Sequence, residues 1–90
     1  MAKGKEFTAE EKEILSAALR SLHQIHLLST DQAGDFVQCG EKDFLYEDDF
    51  EKRRLYVYAL ETLCEKGLVK YVRGQLYKLT AKGFKEAEKL

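Results

Sequence analysis

Leu55–Leu79, LYVYALETLCEKGLVKYVRGQLYKL, changes rhythm half-way along. Up to Lys66 its apolar residues recur at helical spacing: Tyr56, Ala59, Leu60 and Leu63 fall on one side. Gly67 follows the last of them, where a helix ending in a left-handed residue prefers one without a Cβ. Leu68-Val69-Lys70-Tyr71-Val72 then has the β-branched and aromatic content of a strand. Arg73-Gly74-Gln75 supplies a glycine turn and Leu76-Tyr77-Lys78-Leu79 the return. The stretch therefore predicts a helix running at once into a tight hairpin.

Working outward, Glu47-Asp48-Asp49 precedes this helix and suits its start, since carboxylates there accept from free amides and complement the helix dipole. The helix is expected over Asp48–Lys66, with Phe50 on its inner side. Beyond the hairpin, Thr80 caps a last helix whose Phe84, Ala87 and Leu90 face inward, and Gly83 allows close approach to a neighbour. At the other end, Thr8-Ala9-Glu10-Glu11 is a capping box. Ile14, Leu15, Ala18, Leu19, Leu22, Ile25 and Leu28 follow at helical spacing, so this first helix is expected to end near Ser29. Residues 30–46 read in two ways. Asp31-Gln32-Ala33-Gly34 could open a short helix. Alternatively, Asp35–Cys39 and Asp43–Tyr46 are strands around a Gly40-Glu41-Lys42 turn, which the β-formers Phe36, Val37, Phe44 and Tyr46 favour.

Ninety residues allow one domain, burying roughly 60–65% of the surface of the unfolded chain. Residues 1–7 read as a polar leader and 8–90 as the domain. With 44% hydrophobic and 34% charged residues the chain belongs to the soluble globular class and not to the disordered one. The net charge of −1 hides a segregation. Residues 1–51 hold twelve acidic and five basic groups, and residues 52–90 hold four acidic and ten basic. The basic half suggests an anionic partner; mutual attraction of the halves within the fold is the competing account. Cys39 and Cys64 lie far apart, no secretory apolar region precedes them, and no apolar run reaches the ~20 residues of a membrane span. A reduced, cytoplasmic chain with no membrane partner is expected.

Ala59–Val69 (ALETLCEKGLV) resembles the helix-to-wing junction of winged helix-turn-helix domains, and Tyr77–Phe84 (YKLTAKGF) resembles their second wing strand and following helix. Both patterns are found in bacterial regulators of the multiple-antibiotic-resistance type, and the resemblance covers about residues 55–90. It implies an α+β winged helix: three main helices, a C-terminal hairpin wing and, on the strand reading of residues 35–46, a second short hairpin. It implies duplex DNA as partner and Asp48–Lys66 as the reading helix of a small bacterial or phage regulator. Lys52, Arg53, Arg54 and Tyr58 would then meet phosphates or base edges, with Lys70, Arg73 and Lys78 assisting from the wing. Glu61, outward on the same helix, fits a phosphate backbone poorly, and Leu55 and Val57 offer it no hydrogen bonds. The alternative is a winged helix used for protein contact, with Leu55, Val57 and Tyr58 as a partly apolar patch.

Chemistry beyond binding finds little support. His23 and His26 with the two cysteines lack the spacing of a zinc site, so no metal or other cofactor is expected. Cys64 sits at a helix C-terminus, the end that disfavours a thiolate. The carboxylates of residues 47–51 have no companion base or nucleophile, so no enzyme is expected. Leu15, Leu19, Leu22 and Leu28 supply more apolar width than one small core needs, which raises a homodimer through the first helix.

Overall fold

The computed structural model describes residues 7–31 and 34–90. The leader expected over residues 1–7 lies, apart from Phe7, outside the described residues, as do Gln32 and Ala33 of the short-helix alternative. The chain is α+β, and the described residues form three helices and a five-stranded antiparallel sheet. In order it forms α1 (Ala9–Leu19), β1 (Gln24–Thr30), β2 (Gly34–Cys39), β3 (Lys42–Asp43), α2 (Phe50–Glu65), β4 (Val69–Arg73), β5 (Leu76–Leu79) and α3 (Ala81–Glu88). The strands lie in the order β3-β2-β1-β5-β4.

Helix α1 begins as its capping box predicts. The Thr8 hydroxyl accepts from the Glu11 amide at 3.1 Å, and the Glu11 carboxylate accepts from the Thr8 amide at 2.9 Å. Its end is a correction: the helix stops at Leu19, not near Ser29. Leu22 and His23 both adopt positive φ, 58° and 67°, and turn the chain into β1. Ile25 and Leu28, which fit a helical period, belong to that strand. Ile25 is buried there because the alternation Ile25–Leu27 aims at the core, whereas the same residues in a longer helix would leave one edge of β5 unpaired. His23 and His26 are thus not one turn apart on a helix; His23 packs against the Phe84 ring at 4.9 Å.

Residues 34–43 form a hairpin, with Gly40 at φ 62° in its turn. Its return strand is only two residues long. Phe44, Tyr46 and Tyr56 then form a short aromatic stack, with centroids 4.4 Å apart for Phe44–Tyr56 and 5.4 Å for Tyr46–Tyr56. The Asp49 side chain caps α2 by accepting from the Lys52 amide. At the far end Gly67, at φ 79°, turns α2 into the β4–β5 hairpin as its sequence predicts. Thr80 caps α3, accepting from the Gly83 amide.

One face of the sheet presents Ile25, Val37, Cys39, Val69 and Leu79 to all three helices, which bring Ile14, Leu15 and Ala18 from α1, Ala59, Leu60 and Leu63 from α2, and Ala87 from α3. The other face carries, by alternation, Gln24, His26 and Leu28 of β1, Phe36 and Gln38 of β2, and Leu76 and Lys78 of β5. Two inward expectations fail: Phe50 is 56% exposed and Leu90 50%. The four leucines of the supposed dimer seam do not share a surface either. Leu15 is fully buried, whereas Leu22 stands 82% exposed beyond the helix end.

Candidate interaction surface

Helix α2 offers two contrasting sides. Arg53, Tyr56, Ala59, Leu60 and Leu63 point into the protein, and Glu51, Arg54, Leu55, Tyr58 and Glu61 point away. Arg53, expected to contact phosphate, is 4% exposed and is a correction. Its guanidinium donates to the carbonyls of Leu45 and Tyr46 at 3.3 and 3.4 Å, and so ties the segment entering α2 to the helix itself. Two adjacent arginines look alike in sequence; the helical period sends one inward, where two backbone carbonyls accept from its Nη1. Lys52, exposed in the first turn above Tyr56, lies with its ammonium 4.4 Å over the Tyr46 ring.

Phe50, Arg54 and Tyr58 are spaced i, i+4, i+8 and therefore form one stripe along the exposed side. Tyr58 is 64% exposed, and the Arg54 guanidinium packs 5.6 Å over the Phe50 ring. Leu55, 49% exposed, stands beside the stripe. Between this side of α2 and the first residues of β2 runs an open groove of about 350 Å³, lined by Val57, Asp35 and Glu61 among others. Phe50 as an exposed member of the stripe escapes sequence reading, because its spacing also fits the buried side. The signal that could have revealed it is the i+4 repeat of aromatic, arginine, aromatic.

The wing residues are elsewhere. Lys70 and Lys78 are directly opposite each other in the β4–β5 pairing, and Gln24 continues the row on β1. Alternation puts this row on the sheet face turned away from α2, since Val69 and Leu79, their neighbours, are in the core. Arg73 is exposed beside the wing turn, after a register shift between Tyr71 and Arg73. The expected DNA set is therefore divided: Arg54 and Tyr58 belong to the outer side of α2, Lys52 is exposed in its first turn over Tyr46, and Lys70 and Lys78 belong to the far face of the sheet. Tyr71 and Tyr77 pair on the near face, edge to face at 5.3 Å.

The charged halves of the chain meet at one ion pair among the described residues. Glu11, 3% exposed, holds the Lys66 ammonium at 3.0 Å and accepts from the Thr62 hydroxyl at 2.6 Å. Burial pushes the Glu11 carboxyl up, but the hydrogen bonds from Thr62 and the Thr8 amide, together with Lys66, outweigh it and hold the carboxyl below its ordinary value. Burial pushes the Cys39 thiol up to about 12. Burial, reinforced by Glu61 and Glu65, raises that of Cys64 as well. Neither thiol is poised to react at neutral pH. Among the described residues no group of three His, Cys, Asp or Glu side chains is placed to hold a metal ion, and no helix is long and apolar enough to cross a membrane.

Comparisons with protein-family models, with curated proteins and with solved structures return no significant match.

Proposed function

We propose that the chain is a binding module of winged-helix ancestry that grips a protein partner through the outer side of α2. The ancestry rests on the run from α2 through Gly67 and the β4–β5 hairpin to α3, which follows the order of the resemblance. The β2–β3 hairpin stands where the second helix of a helix-turn-helix would be. The observation that carries the protein reading is the Phe50–Arg54–Tyr58 stripe, with Leu55 beside it and a groove along its flank. Tyrosine and arginine are the residue types that dominate binding energy at protein interfaces. The acidic groups of the same side, Glu51, Glu61 and Glu65, have the wrong sign for a phosphate backbone.

Binding to duplex DNA is the second reading. It is favoured by the Lys70–Lys78 row with Arg73 nearby, and by the excess of basic groups in residues 52–90. The two are separated by one pair of variants, Tyr58→Ala and Lys70→Ala/Lys78→Ala, both at positions outside the core. In photo-crosslinking from a residue flanking the stripe, such as Leu55, a specific protein adduct should form with the parent chain and with the lysine variant. Tyr58→Ala should weaken that complex by about 30-fold, the effect of an interface hot spot of ~2 kcal/mol. Adducts insensitive to Tyr58 exclude the stripe. Anisotropy showing duplex binding that falls steeply with salt and disappears with the two lysines would replace the protein reading by the DNA one.

A further inference from the structure

A second concave surface lies away from α2, between the flank of α1 and the β2–β3 turn. It is an open cleft of about 840 Å³, within the ~300–1,000 Å³ typical of small-molecule sites. Lys12 and Ser16 of α1 and Arg20 at its C-cap recur every fourth residue and line it, as does Lys42 of β3. The β2–β3 turn presses closely on the end of α1, for a Cβ on Gly40 would lie 2.5 Å from Ser21 Oγ. Arg20 adjoins Ser21 and Lys42 follows Gly40 by two residues, so these cations flank the same contact. Among the described residues none of the three cations is in an ion pair; Lys42 lies 5.6 Å over the Phe44 ring. Glu13 and Glu41 also line the cleft. Glu13 is occupied by the Tyr56 hydroxyl, which donates to it at 2.9 Å.

Leu22 completes the rim, and it breaks two rules at once. It is 82% exposed, and it holds φ 58°, a left-handed conformation that costs a leucine energy and glycine almost none. Packing does not require the side chain, and the turn would be better served by glycine. A strained, exposed apolar residue beside unpaired cations is a feature that function can account for where folding does not.

We infer that this cleft binds a small organic anion, with its phosphate or carboxylate at the Arg20–Lys42 end and its apolar body against Leu22. The inference does not rest on the α2 reading, and its test uses neither Tyr58 nor the wing lysines. Octyl phosphate and ADP offer two different bodies on a phosphate, with inorganic phosphate as the control lacking one. Titrated into the full chain and followed by amide chemical shifts, at least one of the two should shift Ser16, Ser21 and Gly40 saturably. It should bind about tenfold or more tightly than inorganic phosphate, and Arg20→Glu or Lys42→Glu should weaken it about tenfold. Leu22→Gly should raise the melting temperature yet weaken binding, an opposition that a purely structural leucine would not produce. The inference fails if neither compound gives a saturable shift, if inorganic phosphate binds as tightly as both, if charge reversal at Arg20 or Lys42 changes nothing, or if Leu22→Gly binds undiminished.

Discussion

Arg53 and Gly83 show how much of this fold turns on single side chains. A Cβ on Gly83 would lie 1.9 Å from the Leu68 carbonyl oxygen, so α3 can seat against the start of β4 only with glycine there. Arg53 joins α2 to the loop before it: its Nη1 donates to two backbone carbonyls and its guanidinium lies 5.0 Å from the Phe50 ring. Replacing Arg53 by methionine keeps the stem but strips two carbonyls of their donor, and should cost about 1–3 kcal/mol in urea unfolding. Arg54→Met, one residue on and exposed, should stay within about 0.5 kcal/mol of the parent. Equal losses at the two positions would mean that Arg53 is not the anchor.

At the scale of elements, the seam between α1 and α2 is held by Glu11 with Thr62 and Lys66 as well as by the apolar core. The folded carboxyl lies below its ordinary value of 4.5, so the folded state favours the ionised form. That contribution is present in full above the unfolded value and disappears as pH falls through the folded one. Lys66 is 40% exposed, which limits its share by solvent screening. Glu11→Gln should therefore lower stability by about 1–2 kcal/mol near neutral pH. The gap between variant and parent should narrow as denaturation is repeated at successively lower pH below 4.5. A gap independent of pH would assign the effect to shape and not to charge. The neighbouring elements make the complementary point about legibility. The capping box and the glycine after α2 are visible in sequence because caps and positive-φ turns are local. The end of α1 is not, because Ile25 and Leu28 satisfy a period of three while Ile25 and Leu27 satisfy a period of two, and only pairing with β2 and β5 decides between them.

Over the whole molecule, charge is segregated along the chain, and among the described residues one ion pair joins the two halves. Lys70 and Lys78 even face each other across the wing, where like charges are unfavourable by roughly 0.2–1 kcal/mol. Changing Lys70 to glutamate should stabilise the protein by about 0.5 kcal/mol at low ionic strength, and the gain should fade in molar salt. Stabilisation that survives high salt would point to strand propensity instead.

The sequence by itself determined the α+β class, the helix-to-hairpin run around Gly67, the caps at Thr8 and Thr80, and which residues of α2 after Phe50 form the core, since each depends on period or on a neighbour a few residues away. Only the tertiary structure decided that residues 24–30 are a strand, that the wing lysines and α2 occupy opposite faces, and that Leu22 stands over a cleft. The physical reason is that each depends on contacts distant in sequence. A strand acquires its identity from hydrogen-bonding partners distant in sequence, and the sheet those partners build then assigns each side chain a face.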